Sequence, residues 1–387
     1  MSALMPTYAR QPVTLVRGEG LRVWDDEGRP YLDLIGGRGA LSLGHAHPRW
    51  VAAVTGAAAA IGLTSNLVTT PPQELLAARL ASRTIVEDAR VFLCNSGAEA
   101  NEALLKLVRK RGLRDRRPTI VVLEGSFHGR TVATLAATGQ PEKRAPFEPL
   151  LDWFRFVPPG DLDALDEALA PGDVAAVFLE PVLGEGGVVP LTAAYLRGVR
   201  ARCDDADALL AVDEVQAGSG RAGSLLSIEA AHVSPDVVSL AKALGGGLPI
   251  GALVAPAALS FGPGEHGSTF GGGPVPCAAA LAVLEEIDEA DLLANVLEMG
   301  ALLRAEVARL APSGTLTDMR GVGLLLGFEA APGIAAADVV DALRGRGVLA
   351  STAGRNTIRC TPPFTIGRDE VDEAAKAFAM ALEEVAA

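Results

Sequence analysis

Two residues whose side chains can do chemistry stand at the ends of apolar runs. Lys242 is one of five lysines in the chain, and it follows the apolar run 237–241 and precedes a triple glycine at 245–247. Burial beside such a run favours the neutral amine and so lowers the pKa of a lysine. A partly neutral lysine is the nucleophile that Schiff-base chemistry with a carbonyl cofactor requires, which points to pyridoxal 5'-phosphate, PLP. A paired or snorkelling lysine fits the same position.

Asp213 ends another apolar run, 29 positions before Lys242. A buried carboxylate is costly unless a cation or hydrogen-bond donors meet it, and a protonated pyridine nitrogen is one such cation. A catalytic base or a metal ligand is the weaker alternative, because no histidine or second acid-rich loop accompanies Asp213. One strand-helix-strand unit spans this separation, so we expect Asp213 and Lys242 at the same edge of a sheet.

The apolar runs alternate with alanine-rich helical stretches, which indicates an α/β fold with a mostly parallel sheet covered on both faces. The runs are 89–93, 119–123, 174–179, 209–212 and 237–241. Long helical patterns at 277–287 and 292–310 precede a segment of β character near 323–328. The sequence predicts a large domain at 46–274, a smaller α+β domain at 275–387, and an N-terminal segment at 1–45 whose hairpin joins the smaller domain.

More polar residues follow the predicted strands, where open parallel sheets bind ligands. After 89–93, a turn containing Ser96 precedes a predicted helix. The N-terminus of a helix can bind a phosphate, but the same residues are also typical of an ordinary capped helix. After 119–123, Phe127 is placed to stack on a flat ring and Arg130 to bind a carboxylate; a core aromatic and a surface ion pair are the alternatives. Glu185, in a glycine loop after 174–179, would pair with a mobile arginine or stay solvated.

Composition excludes several classes of partner. The net charge of -13 argues against a nucleic-acid groove or an anionic membrane surface. The four cysteines are far apart, which predicts neither a disulfide framework nor a metal site. No signal-peptide pattern and no apolar stretch of about 20 residues is visible. We therefore expect a cytoplasmic protein that acts on small molecules.

Two further patterns are typical of other kinds of site. The stretch 218–223 matches GxGxxG, which would suit a nicotinamide-dependent dehydrogenase. It lies five residues beyond its strand and opens no convincing helix, so it lacks the required context. His45 and His47 suggest a metal pair, but no third ligand accompanies them, and the segment reads as a structural turn.

Five segments, in this order along the chain, resemble the class III, or omega, aminotransferases, and most of all the acetylornithine and ornithine aminotransferase branch. They are Asn95-Ser96-Gly97-Ala98-Glu99-Ala100-Asn101-Glu102, Phe127-His128-Gly129-Arg130-Thr131, residues 180–190, Asp213-Glu214-Val215-Gln216 and Ala241-Lys242-Ala243-Leu244-Gly245-Gly246-Gly247. The resemblance runs from about Tyr8 to the C-terminus. It implies a fold-type I homodimer with active sites at the subunit interface.

The resemblance also assigns roles toward the cofactor. Lys242 would hold PLP covalently and then carry the proton, while Asp213 would keep the pyridine nitrogen protonated. Gly97 and Ala98 would bind the phosphate, joined by Thr269 of the partner subunit. Phe127 would stack on the ring, Gln216 would approach the ring hydroxyl, and Ser96 and Val215 would be further cofactor contacts.

On the substrate side, the resemblance implies that Arg130 takes the carboxylate far from the reacting amine and that Arg359 takes the α-carboxylate of glutamate. Glu185 would mask Arg359 for a terminal-amine donor and release it for glutamate. Ser268 would lie close to the substrate.

One departure concerns the pocket wall. The family usually has Gly-Ile-Ala-Val-Asn ahead of Leu-Gly-His, whereas this chain has Gly37-Arg38-Gly39-Ala40-Leu41. Arg38 would recognise an additional carboxylate or block the usual donor. Glycine also replaces the usual asparagine within 271–273.

The expected reaction moves the terminal amino group of N-acetylornithine, or a related ω-amino acid, to 2-oxoglutarate by a ping-pong mechanism. Its products are a semialdehyde and glutamate. Alternatives in the same cofactor class are an ornithine, 4-aminobutyrate or diamino-acid aminotransferase, an aminomutase, a racemase or a decarboxylase. A non-catalytic binding module gives no reason to bury Lys242 near Asp213.

Overall fold

A seven-stranded sheet forms the centre of the protein. The computed structural model describes residues 3–387; Met1 and Ser2, the first two residues of the predicted N-terminal segment, lie outside the described residues. In spatial order the strands are Ala89–Cys94, Gly251–Pro256, Val237–Leu240, Leu209–Asp213, Val174–Leu179, Thr119–Leu123 and Phe154–Val157. All run parallel except Gly251–Pro256, which is antiparallel to both neighbours.

The two faces of this sheet explain its continuous apolar sequence. Along one strand Leu210 and Val212 belong to one hydrophobic cluster, whereas Leu209 and Ala211 belong to the cluster on the other face. Every position of the strand Leu209–Asp213 is buried, as expected for a parallel strand with helices on both sides. The five predicted strands are confirmed to within one residue at each end.

Two strands of the seven-stranded sheet were not predicted, Phe154–Val157 and Gly251–Pro256. The first carries Arg155 at its centre, which interrupts the apolar run. The second follows a glycine-rich loop with no helix before it, so the alternation of strands and helices gave no reason to expect it.

Helices surround the sheets. The α-helices are Pro48–Ala60, Pro71–Arg83, Gly97–Arg114, Val132–Ala137, Pro141–Arg144, Leu162–Leu169, Ala193–Asp205, Pro274–Glu289, Leu292–Leu310, Ala336–Gly345 and Arg368–Ala386. Short 3-10 turns occur at Ala145–Phe147, Ser227–Ala231, Lys242–Gly245 and Ala257–Leu259. Among the described residues 3–387, none of these helices combines the length and the apolar character needed to cross a lipid bilayer.

The two ends of the chain meet in smaller sheets. The predicted hairpin is confirmed: Leu15–Glu19, Arg22–Asp25 and Pro30–Asp33 are successive antiparallel strands, and the last pairs in parallel with Val348–Leu349. A second sheet has the order Leu316–Val322, Leu325–Ala330, Thr357–Cys360, Ser351–Ala353, and Val182–Leu183 pairs with Val189–Pro190. The boundaries at 45 and 274 stay predictions.

Strand register sets the position of the predicted catalytic pair. Asp213, the last residue of its strand, lies opposite Ser239 of the parallel neighbour. Lys242 follows that neighbour, so both side chains reach the carboxyl edge of the sheet. The same edge receives Leu179, opposite Val212, immediately before Glu180.

Candidate active site

A cavity of about 310 Å³ opens at this edge of the sheet. It brings together eight of the residues that the sequence predicted: Ser96, Gly97, Ala98, Phe127, Asp213, Val215, Gln216 and Lys242. These residues come from four separate segments of the chain, each of which follows a strand of the central sheet. The cavity is therefore a site built by the fold and not by one local motif.

Asp213 forms the floor of the cavity and is held in a closed network. Its Oδ2 accepts hydrogen bonds from Asn101 Nδ2 at 2.7 Å and from His128 Nδ1 at 2.8 Å, and its Oδ1 accepts one from the amide of Val215 at 2.9 Å. The His128 ring stacks on Phe178 with centroids 3.9 Å apart. Three donors fix a buried carboxylate in one orientation, so the floor offers a positioned negative charge to a cationic group.

Lys242 lies opposite this floor on a strained backbone. Its φ of 46° is in the left-handed region, which is unfavourable for a residue with a side chain. Ser42 Oγ donates to the carbonyl of Ala243 at 2.9 Å and so supports the turn. Burial lowers the pKa of Lys242 to about 8; Glu185, Asp213 and Glu180 counteract this shift, whereas Arg359 adds to it. The amine is consequently available as a nucleophile and as a proton carrier near neutral pH.

The helix Gly97–Arg114 presents its N-terminus to the same cavity. Ser96 Oγ caps the helix by accepting from the amide of Glu99 at 3.2 Å, and Glu99 Oε2 accepts from the amide of Asn95 at 2.9 Å. The first-turn amides of Gly97 and Ala98 have no partner one helical turn earlier and carry the positive end of the helix dipole. A Cβ on Gly97 would lie 2.5 Å from Val215 Cγ1, so glycine is what lets this end approach the floor.

Phe127 forms a third wall. Its amide donates to Glu180 Oε2 at 2.7 Å, and burial together with the Asp213 charge raises the pKa of Glu180 to about 8. Two cations lie over the Phe127 ring, Arg130 at 5.5 Å and Lys143 at 5.6 Å from the ring centroid. The ring is thus fixed in a position from which it can stack on a flat ligand.

A buried ion pair closes one side of the site. Arg359 is fully buried, and its Nη1 donates to Glu185 Oε1 at 2.5 Å and to Gln216 Oε1 at 3.2 Å. Burial alone would raise the pKa of Glu185, but the charge and hydrogen bond of Arg359 lower it to about 2. Arg359 Nη2 has no partner among the described residues. The guanidinium therefore keeps donor capacity that a substrate carboxylate can use.

Arg38 approaches the same carboxylate from the other side. Its Nη1 lies 3.8 Å from Glu185 Oε2, and its side chain is 54% exposed. Arg38 belongs to the turn Gly36–Gly39, in which all four residues have left-handed φ values of 49°, 60°, 59° and 85°. Such a conformation costs a non-glycine residue about 1–3 kcal/mol.

The left-handed turn is fixed by contacts from three directions. Asp33 Oδ1 accepts from the amides of Ile35 at 2.9 Å and Gly36 at 3.0 Å, and Thr361 Oγ1 donates to the carbonyl of Ile35 at 2.7 Å. Arg221 Nη2 donates to the carbonyl of Gly39 at 3.3 Å. These contacts place Arg38 where it is, against the preference of its own backbone.

Six predicted substrate or cofactor residues do not line the smaller cavity: Arg38, Arg130, Glu185, Ser268, Thr269 and Arg359. Arg130 is exposed and lines a second cavity of about 980 Å³, together with Arg38 and Glu185. Ser268 Oγ accepts from Asn95 Nδ2 at 3.1 Å, at the rim. Thr269 is exposed and belongs to neither cavity.

Sequence reasoning assigned no role to Asn101, His128 and Arg221. Asn101 lies about one helical turn after Gly97 and His128 lies beside Phe127, so a buried polar residue next to a predicted ligand contact was the available signal. Arg221 is buried within the GxGxxG-like stretch, which forms turns and no helix. It donates to the carbonyls of Gly39, Leu324 and Pro362, and burial lowers its pKa to about 9.

The fold and the cavity define the chain as an α/β transferase of fold type I. The family model for class-III aminotransferases matches residues 5–382, nearly the whole chain. The protein therefore belongs to the class-III aminotransferases and is a transaminase.

Relatives with assigned activities agree with this membership. The chain is 45% identical to an acetylornithine aminotransferase of Thermosynechococcus vestitus over 397 residues, which cover 99% of this chain and 96% of the relative. It is 45% identical to one of Corynebacterium efficiens, covering 99% and 95% of the two chains.

Solved structures give the same result. An ornithine aminotransferase from Toxoplasma gondii, described as having partial occupancy of PLP at its active site, superposes with a TM-score of 0.93 at 32% identity, covering 99% of this chain and 93% of that one. An N-acetylornithine aminotransferase from Stenotrophomonas maltophilia superposes with a TM-score of 0.85 at 38% identity, covering 97% of each chain.

Proposed function

We propose that this chain moves the terminal amino group of N-acetylornithine to 2-oxoglutarate in two half-reactions, giving a semialdehyde and glutamate. The observation that carries the proposal is the Glu185–Arg359 pair beside Lys242. In this pair Glu185 can mask the Arg359 guanidinium or leave it free to bind the α-carboxylate of glutamate. The acetylornithine aminotransferases to which the chain is 45% identical support the choice of donor.

The cofactor we propose is PLP, and the residues of the smaller cavity fit it. Asp213 offers a fixed negative charge for a pyridinium nitrogen, the first-turn amides at Gly97 and Ala98 suit a phosphate, and Phe127 suits the face of the ring. Glycine at position 97 lets this helix end pack against Val215, where a Cβ would clash. When bound, PLP supplies an electron sink for the charge that develops at the substrate carbon.

Lys242 performs the proton transfer in this proposal. Its amine has a pKa of about 8, so a fraction of it is unprotonated near neutral pH and can accept a proton from the substrate carbon. The ammonium that results faces Asp213, Glu180 and Glu185 and is stabilised by them. Lys242 can then return the proton at the cofactor side, which completes the transfer without free water.

Arg130 and Arg359 divide the recognition of substrate carboxylates. A donor that reacts through its terminal amine carries its carboxylate far from the reacting carbon, and the exposed Arg130 at the larger cavity suits that group. Glutamate carries a carboxylate on the reacting carbon, and Arg359 suits it once Glu185 has moved away. Gln216 contacts Arg359, and Ser268 lies at the rim near the substrate path.

We further propose that the enzyme works as a homodimer in the cytoplasm. Thr269 and Phe270 are exposed in one chain, Phe270 to 62%, although they follow Ser268 at the rim of the site. A second copy would cover them and complete the phosphate site with Thr269 of the partner subunit. The four free cysteines are compatible with a reducing compartment.

The visible absorption spectrum of the PLP-reconstituted protein tests the function directly. Excess glutamate and excess N-acetylornithine should each remove the yellow band, because each of these donors would transfer its amino group to the cofactor. A band that persists with glutamate would refute transamination from that donor. A band that responds to glutamate but not to N-acetylornithine would refute the proposed donor, and ornithine and 4-aminobutyrate would then be compared.

A further inference from the structure

Arg38 combines a strained backbone with a position next to the switch carboxylate. It is the one residue of the turn Gly36–Gly39 that carries a side chain, and its φ of 59° is held by contacts from Asp33, Thr361 and Arg221. Backbone strain that is maintained by surrounding contacts is a reason to look for a function. The side chain leads from the turn directly towards Glu185.

The two oxygens of Glu185 face two different guanidinium groups. Oε1 accepts from Arg359 Nη1 at 2.5 Å, whereas Oε2 lies 3.8 Å from Arg38 Nη1. Among residues 3–387, these are the two cationic side chains with a nitrogen within 4.0 Å of this carboxylate. The close contact is to the buried arginine and the loose contact is to the half-exposed one.

Two other cations of the larger cavity lie beside Phe127. Lys143 donates to Gln140 and lies over the Phe127 ring, and Arg130 lies over the same ring. Neither forms an ion pair with Glu185 in this conformation. After Arg359, Arg38 therefore has the cationic nitrogen nearest to the Glu185 carboxylate.

We propose that Arg38 receives the Glu185 carboxylate when a substrate α-carboxylate displaces it from Arg359. This inference rests on the proposed function, in which Arg359 is alternately masked and exposed. An ionised carboxylate that leaves a guanidinium loses a strong interaction. When Glu185 can pair with Arg38 instead, the free-energy cost of unmasking Arg359 falls to the difference between the Glu185–Arg359 and Glu185–Arg38 ion pairs. Arg38 is thus a positioning residue that favours glutamate and 2-oxoglutarate over donors that leave Arg359 masked.

A double-mutant cycle with Arg38→Gln and Glu185→Gln tests the proposal. The reporter is the apparent Kd for glutamate in single-turnover reactions, followed through the cofactor absorbance. In the wild-type background Arg38→Gln should raise this Kd about three- to fivefold, the size of a partly exposed ion pair. In the Glu185→Gln background it should have no effect, since the uncharged amide needs no second cation. Arg38→Lys should restore most of the wild-type Kd.

Matched measurements separate this role from direct substrate binding. The apparent Kd for N-acetylornithine should change less than that for glutamate, and Arg355→Gln, which removes another exposed charge of the same cavity, should leave both unchanged. An equal effect of Arg38→Gln in both backgrounds, or an equal effect on both donors, would overturn the proposal and make Arg38 a substrate clamp.

The wild-type protein distinguishes failure of the function from failure of the inference. A wild-type chain that reacts with glutamate but not with N-acetylornithine refutes the proposed donor, while the glutamate cycle still decides the role of Arg38. A wild-type chain that is silent towards glutamate refutes both.

Discussion

The floor of the active site and its Glu185 side are built on opposite principles. At the floor, Asp213 is buried and receives three hydrogen bonds from donors that are themselves packed in the core. On the other side, Glu185 is shared unequally between a buried Arg359 and a half-exposed Arg38. The comparison indicates that the group that must not move, Asp213, is held by three hydrogen-bond donors with fixed positions. The group that must move is given two competing cations.

The strongest test of the fixed region is Lys242→Ala. Turnover should fall by about 10⁴-fold or more, because the change removes both the nucleophile and a proton carrier, and proton transfer alone contributes roughly 10²–10⁴-fold. Single-turnover rates with glutamate measure the loss, and far-UV circular dichroism shows that the fold is retained. Turnover at more than a hundredth of the wild-type rate would contradict the proposed role.

Asp213→Asn tests whether the floor acts through its charge. Removing one member of a buried charge pair costs about 3–5 kcal/mol, so kcat/KM should fall about 10²- to 10³-fold. The adjacent Glu214→Gln is the matched control, since Glu214 is equally buried but accepts from Ser227 and the Ile228 amide away from the cavity. Equal losses in the two variants would make the Asp213 effect structural.

Gly36→Ala tests the turn that carries Arg38. An ideal Cβ at Gly36 would lie 2.4 Å from the carbonyl oxygen of Thr361, and φ is 49°. We expect the free energy of unfolding to fall by about 2–4 kcal/mol, from left-handed strain plus overpacking. Gly20→Ala has a similar φ of 57° but open space, so it should lose only about 1–2 kcal/mol. Chemical denaturation compares them, and equal losses would mean that the Thr361 contact relaxes freely.

Lys242 lies between the two regions, and its titration reports on both. Its pKa is lowered to about 8, so the amine is protonated below that pH and free above it. The rate of PLP capture by the apoprotein should therefore rise about tenfold per pH unit up to pH 8 and then level off. Since the Glu185 charge raises the pKa of Lys242, Glu185→Gln should move the midpoint to lower pH, and Arg355→Gln should not. A midpoint that stays in place in Glu185→Gln would remove the coupling between the regions.

A smaller effect is expected for Arg359→Lys. The charge is kept, but the two-pronged donor geometry is lost, so the KM for glutamate should rise about tenfold, the equivalent of one charged hydrogen bond. The KM for N-acetylornithine should change less than about threefold, because Arg359 is masked for that donor. Steady-state kinetics with both donors provide the comparison, and equal increases would contradict alternate use of Arg359.

The floor could be predicted from the sequence because its residues directly follow buried strands. A parallel strand covered on both faces leaves a continuous apolar run, and the first polar residue after that run, such as Asp213, marks the edge of the sheet. The Asn101 and His128 bonds to Asp213 depend on side-chain directions that spacing does not give. The strand Gly251–Pro256 was missed because it follows a glycine-rich loop with no helix before it, so the alternation of strands and helices does not mark it.

The Glu185 side could be predicted only through the family resemblance. Its three charged residues lie at positions 38, 185 and 359, and nothing local in any of the three segments specifies the others. The contact between Arg38 and Glu185 depends on a turn whose left-handed geometry is imposed by Asp33, Thr361 and Arg221. The sequence suggested that Arg38 recognises an additional carboxylate or blocks the usual donor, which stays a prediction; the structure places Arg38 beside the carboxylate of Glu185.

The left-handed turn has a consequence for how this enzyme can change over generations. Gly36 has no room for a Cβ, and Gly37 and Gly39 hold φ values of 60° and 85° that favour glycine. Three of the four codons are therefore constrained by geometry, and inherited variation at this wall is confined to the fourth. In the role proposed for Arg38, single substitutions at position 38 would tune the preference among amino donors, and a small library at that codon would explore it without disturbing the catalytic floor.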